Sequence, residues 1–129
     1  MEKKAIGPAS PAPYSSGLVS GDLVYLSGQV GKDPATGEIG ATVAQQTATA
    51  LANLRAVRED AGLDLSDVLK TTVFLTDVTT IDEMNEVERV AFPKPLPCRS
   101  TIGVAGFPAP EFKVEIQAGA RGPQLGHRR

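Results

Sequence analysis

The run Val68-Leu69-Lys70-Thr71-Thr72-Val73-Phe74-Leu75-Thr76 is β-branched and aromatic, and it lies between two stretches of helical periodicity. Such a run reads as a strand, and a strand held between two helices calls for a mixed architecture. Upstream, from about 41 to 61, apolar positions recur at Val43, Thr47, Ala50/Leu51, Leu54 and Val57/Ala61, with Gly62 as a stop. Downstream, Thr80-Ile81-Asp82-Glu83 resembles a capping box, and Ile81, Met84, Val87 and Ala91 form one apolar face. The segment Pro93-Lys94-Pro95-Leu96-Pro97 cannot continue that helix.

The remaining elements follow from their punctuation. Gly17-Leu18-Val19 and Leu23-Val24-Tyr25-Leu26-Ser27 flank Ser20-Gly21-Asp22 and predict a hairpin. Lys32 to Glu38 reads as a loop from its Asp-Pro and Thr-Gly pairs. Two strands close the chain, roughly 98–105 and 112–120, joined by a Gly/Pro-rich connection. The first residues through Pro13 read as an extended, flexible arm, and the tail from Arg121 to Arg129 as disordered. The expected order is β-β-α-β-α-β-β. It implies an α+β sandwich, a mixed β-sheet with two helices packed on one face. The 129 residues form one domain with its core at about 12–120, and there is no internal repeat or linker.

Composition narrows the function. Thirteen basic against fifteen acidic side chains give a net charge of -2, which argues against a large nucleic-acid footprint. One cysteine, Cys98, cannot close an intramolecular disulfide, and one histidine, His127, cannot build a metal site. Met1-Glu2-Lys3-Lys4 runs into Ala, Pro and Ser rather than the apolar stretch of a signal peptide. No segment reaches the roughly 18 apolar residues of a membrane span. The expected location is the cytoplasm.

Strand parity nominates candidate residues. Cys98, Ser100, Ile102 and Val104 share one face of the first closing strand, and Arg99, Thr101 and Gly103 the other. In the second, Phe112, Val114, Ile116 and Ala118 oppose Lys113, Glu115 and Gln117. With the more apolar faces beneath the helices and a hairpin centred near Pro108, Arg99, Thr101 and Glu115 would emerge together. Cys98 would then point to the core as a small buried hydrophobe. Two readings of the Arg99–Glu115 pair stand side by side. One is a cross-strand ion pair on a solvated face, contributing about 0.2–1 kcal/mol. The other is a guanidinium fork gripping a ligand carboxylate while the glutamate orients water.

The chain closely resembles the RidA (YjgF) family of imine deaminases, whose members also carry the name L-PSP endoribonuclease. The resemblance rests on Ala12-Pro13-Tyr14-Ser15, Leu26-Ser27-Gly28-Gln29-Val30, Asp33-Pro34-Ala35-Thr36-Gly37-Glu38 and Gln46-Thr47. It continues through the 68–77 run, Met84-Asn85-Glu86-Val87, Pro97-Cys98-Arg99-Ser100-Thr101 and Val114-Glu115-Ile116. Together these motifs run in order from about residue 12 to 120.

The resemblance implies a chorismate-mutase-like fold and a homotrimer with ligand clefts between subunits. It implies hydrolysis of 2-imino acids and their enamine tautomers, of the 2-iminobutanoate and 2-iminopropanoate type, to 2-keto acids and ammonia. It implies no cofactor and no metal. Carried over residue by residue, Arg99 binds the carboxylate, Glu115 orients water, and Tyr14, Ser27, Gly28, Asn85 and Thr101 line the substrate site. Four positions depart from the family pattern: Thr101 stands where cysteine is common, Cys98 for alanine, Gln117 for a second glutamate, and Glu88 for an aromatic residue. Two other functions compete with the leading reading. One is a regulatory trimer that binds small carboxylates without turnover, and the other, ranked below it, is an endoribonuclease.

Overall fold

The computed structural model describes residues 2–59 and 62–122, so the tail from 123 onward, including His127, lies outside the described residues. The elements are β1 (Lys3–Ile6), β2 (Gly17–Ser20), β3 (Leu23–Val30), α1 (Val43–Glu59), β4 (Val68–Leu75), α2 (Ile81–Ala91), β5 (Cys98–Gly103) and β6 (Val114–Arg121). They build one six-stranded mixed sheet in the order β1-β2-β3-β6-β4-β5, with β4 and β5 parallel and every other pair antiparallel. Among the described residues no helix is long and apolar enough to cross a membrane.

The helical stripe read from α1 is the stripe that is buried: Val43, Thr47, Ala50, Leu51, Leu54 and Val57 all lie at or below 5% exposure. Opposite them stand Val24 and Leu26 of β3, Val73 and Leu75 of β4, and Val114, Ile116, Ala118 and Ala120 of β6. Each fully buried Leu, Ile, Val or Met contributes on the order of 1.5–3 kcal/mol, so this layer contact dominates the fold. Past the end of α1, Gly62 holds φ +72, where a side chain would be strained.

Buried Gln46 of α1 ties this layer to the loops. Its Nε2 donates to the carbonyls of Gly40 (2.7 Å) and Glu111 (2.9 Å), and its Oε1 accepts from the Lys113 N–H (2.8 Å). One side chain thus fixes the loop before α1 and the entry to β6.

Three local expectations change. The first residues contain β1, which pairs with β2 from Lys3↔Ser20 to Ile6↔Gly17. Lys3-Lys4-Ala5-Ile6 is too short and too charged to carry a strand signal, and the exposed edge of β2 supplies it. Thr80 caps α2 without a side-chain bond; its Oγ1 instead donates to the Asp77 carbonyl, and Glu83 Oε2 accepts from the Ala44 N–H of α1 at 2.9 Å. Finally, β5 and β6 are not a hairpin. β4 lies between them, so the Gly106–Glu111 connection crosses over a strand rather than turning back beside one.

Candidate active site

That last change relocates every predicted side chain on β5. Thr71, Val73 and Leu75 are the buried, helix-facing residues of β4, and they stand in line with Arg99, Thr101 and Gly103. Side chains in line across neighbouring strands share a face, so Arg99 and Thr101 lie on the helix side. Glu115 is in line with Phe74, and Gln117 with Thr72, on the opposite side. Arg99 and Glu115 therefore sit on opposite faces of the sheet, two strands apart, and do not meet within one chain. Cys98 correspondingly points away from the core and is exposed, in line with Lys70. Lys70 itself is an exposed side chain whose Nζ donates to Ser100 Oγ (3.0 Å).

The first half of the candidate site forms where the edge strand β5 passes under α2. Arg99 Nη1 donates to Glu88 Oε1 at 3.0 Å and lies 3.8 Å from Met84 Sδ. The Arg99 side chain is 27% exposed and that of Glu88 only 8%. Burial pushes the Glu88 carboxyl above its ordinary value, opposed by the hydrogen bond and charge of Arg99. A cavity of about 360 Å³ opens beside the guanidinium, lined by Thr71, Asn85, Glu88, Phe92, Leu96 and Pro97 among others. Asn85 is half-buried and its Oδ1 has no hydrogen-bond partner.

The second half surrounds Glu115. The β3–β6 register shifts between Leu26 and Gln29, so Ser27 and Gly28 bulge out of the ladder. A Cβ on Gly28 would overlap the Glu115 carboxyl, and only glycine leaves that space. Among the described residues Glu115 forms no hydrogen bond or ion pair, and burial raises its carboxyl above the ordinary value. Ser27 Oγ donates to the Ser15 carbonyl (2.6 Å) and its N–H to the Ser16 carbonyl (2.9 Å). These bonds seat the 14–16 segment against β3, and Tyr14 stands 61% exposed beside it.

Two groupings thus replace the single cluster drawn from parity: Arg99 with Asn85 and Glu88, and Glu115 with Gly28. Thr101 lies on the Arg99 face, half-buried in line with Val73. Ser27 lies in the β3 bulge next to Gly28, and its bonds to the Ser15 and Ser16 carbonyls hold the segment that carries Tyr14. Of the wall residues that the sequence did not assign to the site, Thr71, Glu88 and Arg89 carry polar side chains. A signal existed for Glu88, four residues after Met84 on the same helical face and standing where an aromatic is usual. Among the described residues no group of three or more His, Cys, Asp or Glu side chains is arranged to hold a metal ion.

Comparison with known proteins adds a frame to this geometry. The family model described as Endoribonuclease L-PSP matches residues 4–121. A relative from Escherichia coli strain K12, named 2-iminobutanoate/2-iminopropanoate deaminase, is 38% identical over 114 residues, covering 86% of this chain and 88% of its own. A Homo sapiens protein of the same name is 35% identical over 121 residues, covering 92% and 88%. The crystal structure of the YjgF gene product from Escherichia coli superposes with a TM-score of 0.86 at 36% identity, covering 98% of this chain and 99% of that one.

Proposed function

Starting from a chain that belongs to the Endoribonuclease L-PSP family, the family of RidA and YjgF, we propose that it hydrolyses 2-imino acids to 2-keto acids and ammonia. The observation that carries this reading is Arg99, held at the mouth of a cavity with only Nη1 engaged. Its remaining N–H groups have no partner among the described residues, and a guanidinium edge is the natural seat for a planar carboxylate.

In this reading Arg99 fixes the substrate carboxylate and so aligns the imine carbon. Glu115, with a carboxyl raised by burial, takes a proton from water as the oxygen adds to that carbon. The carboxyl passes that proton to nitrogen to give the carbinolamine; its hydroxyl proton is then relayed by the same carboxylate to nitrogen as the C–N bond breaks, leaving the 2-keto acid and ammonia. Imine hydrolysis has a low barrier, so positioning and one acid–base group suffice. No cofactor is called for.

Because Arg99 and Glu115 occupy opposite faces of one sheet, the working cleft is proposed to close between subunits. Arg99, Asn85 and Thr101 would come from one copy and Glu115 with Gly28 from the next, in a homotrimer with three such clefts. The deciding experiment generates 2-iminobutanoate in situ with a threonine dehydratase and follows its decay. Acceleration by the wild type, abolished in Arg99→Ala and Glu115→Gln, is the expected result. No acceleration by the wild type, or equal acceleration by Arg99→Ala, overturns the assignment. Binding of 2-oxobutanoate without turnover would instead favour a carboxylate-binding regulator.

A further inference from the structure

A guanidinium carries its N–H donors on a long, flexible stem, and it grips a carboxylate only when one whole edge of its planar fork is held free. The structure engages Arg99 from one side. Met84 and Glu88 stand one turn apart on the same face of α2 and reach the same nitrogen. Nη1 donates to Glu88 Oε1 at 3.0 Å and lies 3.8 Å from Met84 Sδ. Both anchors are themselves held, because each is buried. Glu88 uses one oxygen only, and among the described residues no hydrogen bond or ion pair falls on Nε or Nη2. The edge formed by those two nitrogens is left whole.

The same contact sets the charge. Glu88 offsets Arg99. Arg89, the other cation of the cavity wall, is offset by exposed Glu86 at 2.6 Å. The wall therefore meets an anion with two cations and two carboxylates. Net charge contributes little to such a site, and the advantage lies in a fork already fixed when the ligand arrives.

We propose that Glu88 is a positioning residue of the carboxylate site: it holds Arg99 by Nη1, keeps the Nε–Nη2 edge open for the substrate, and cancels the charge that would otherwise draw any anion into the cavity. Affinity is lowered and alignment gained. The proposal rests on the reading of Arg99 as the carboxylate grip, and it adds what keeps that grip in shape.

Isothermal titration with 2-oxobutanoate at low salt tests this on the wild type, Glu88→Gln and Glu88→Ala. Glu88→Gln keeps an oxygen for Nη1 but loses the charge. It is expected to bind about three- to tenfold more tightly than the wild type, which is the repulsion of two unit charges roughly 6 Å apart at an effective dielectric of about 40–80. That gain is expected to shrink at high salt. Glu88→Ala carries the same charge as Glu88→Gln and has nothing to hold Nη1. It is expected to bind about tenfold or more weakly than Glu88→Gln, because Arg99 must then give up its rotamer freedom on binding. In the imine-decay assay the loss in Glu88→Ala should appear in kcat as well as KM, and Glu88→Gln should recover most of it. A purely structural role would weaken both variants together. Equal binding by the two variants, or a Glu88→Gln chain no tighter than the wild type, overturns the proposal. Should Glu88→Ala not fold, Glu88→Asp serves: it keeps the charge but falls short of Nη1 by one methylene, so weaker binding than the wild type is expected and unchanged binding overturns the proposal. Binding of 2-oxobutanoate by none of the chains also overturns it. Wild-type imine decay judges the hydrolytic reading separately, and the expected order of binding without turnover would sink that reading while supporting this one.

Discussion

Gln46→Ala is the substitution whose effect is most directly read from the fold. The side chain is fully buried and makes three hydrogen bonds, all to backbone groups, at 2.7, 2.9 and 2.8 Å. Truncation removes three bonds with a net contribution of about 0.5–1.5 kcal/mol each. Some of the freed backbone will reach water near the exposed Glu111, which offsets part of the loss. A destabilisation of about 2–4 kcal/mol is therefore expected. For a chain of this length that corresponds to a fall in Tm of roughly 6–20 °C. Urea unfolding monitored by circular dichroism, with the m-value held unchanged, measures it. The same variant should lose activity at temperatures where it is fully folded, because the entry to β6 positions Glu115. A loss below about 0.5 kcal/mol would show that the three bonds are replaced without cost, and would refute the view of Gln46 as the brace between the loops and β6.

Two further expectations come from the Glu115 side. Burial raises the Glu115 carboxyl, so its folded-state pKa lies above the unfolded one. Protonation then favours the fold: this contribution is present below the ordinary glutamate value and is lost as pH rises through the raised one. Glu115→Gln should accordingly be more stable than the wild type at neutral pH, with the advantage gone by about pH 4, as read by urea midpoints across pH. Gly28→Ala would drive a methyl into the Glu115 carboxyl. It should lower kcat for imine hydrolysis by about 100-fold if the carboxyl is displaced by an ångström, and unchanged kcat in a folded variant would detach Glu115 from the chemistry.

Much of the fold was legible because its signals are local. The α1 stripe, the β2–β3 hairpin around Gly21 and the β4 run each carry their own periodicity or turn chemistry. The candidate residues were legible as motifs, but their arrangement was not. Parity can pair a strand with itself but cannot say which strand lies beside it, and the insertion of β4 between β5 and β6 inverted the outcome for Arg99 and Cys98. Apolar content misled for a physical reason. The face bearing Ile102 is the more hydrophobic one, yet the register with β4 puts Arg99 in line with buried Thr71, on the side where Glu88 of α2 meets it. That partner comes from another element, so no window along β5 contains it.

The placement of Arg99 and Glu115 on opposite sides of one sheet has an arithmetic consequence. In the proposed intersubunit cleft each chain would carry two half-sites facing different neighbours, a head-to-tail contact of the kind that forms a ring when its rotation closes. Arg99→Ala and Glu115→Gln chains, each inactive alone, then complement one another when unfolded together and reassembled. A cleft is intact only when its arginine comes from the second variant and its glutamate from the first. Random equal mixing produces that combination in about one quarter of the clefts of such a ring. Activity near that fraction of wild type would count the chains that meet at each cleft, whereas a site contained within one chain would recover none.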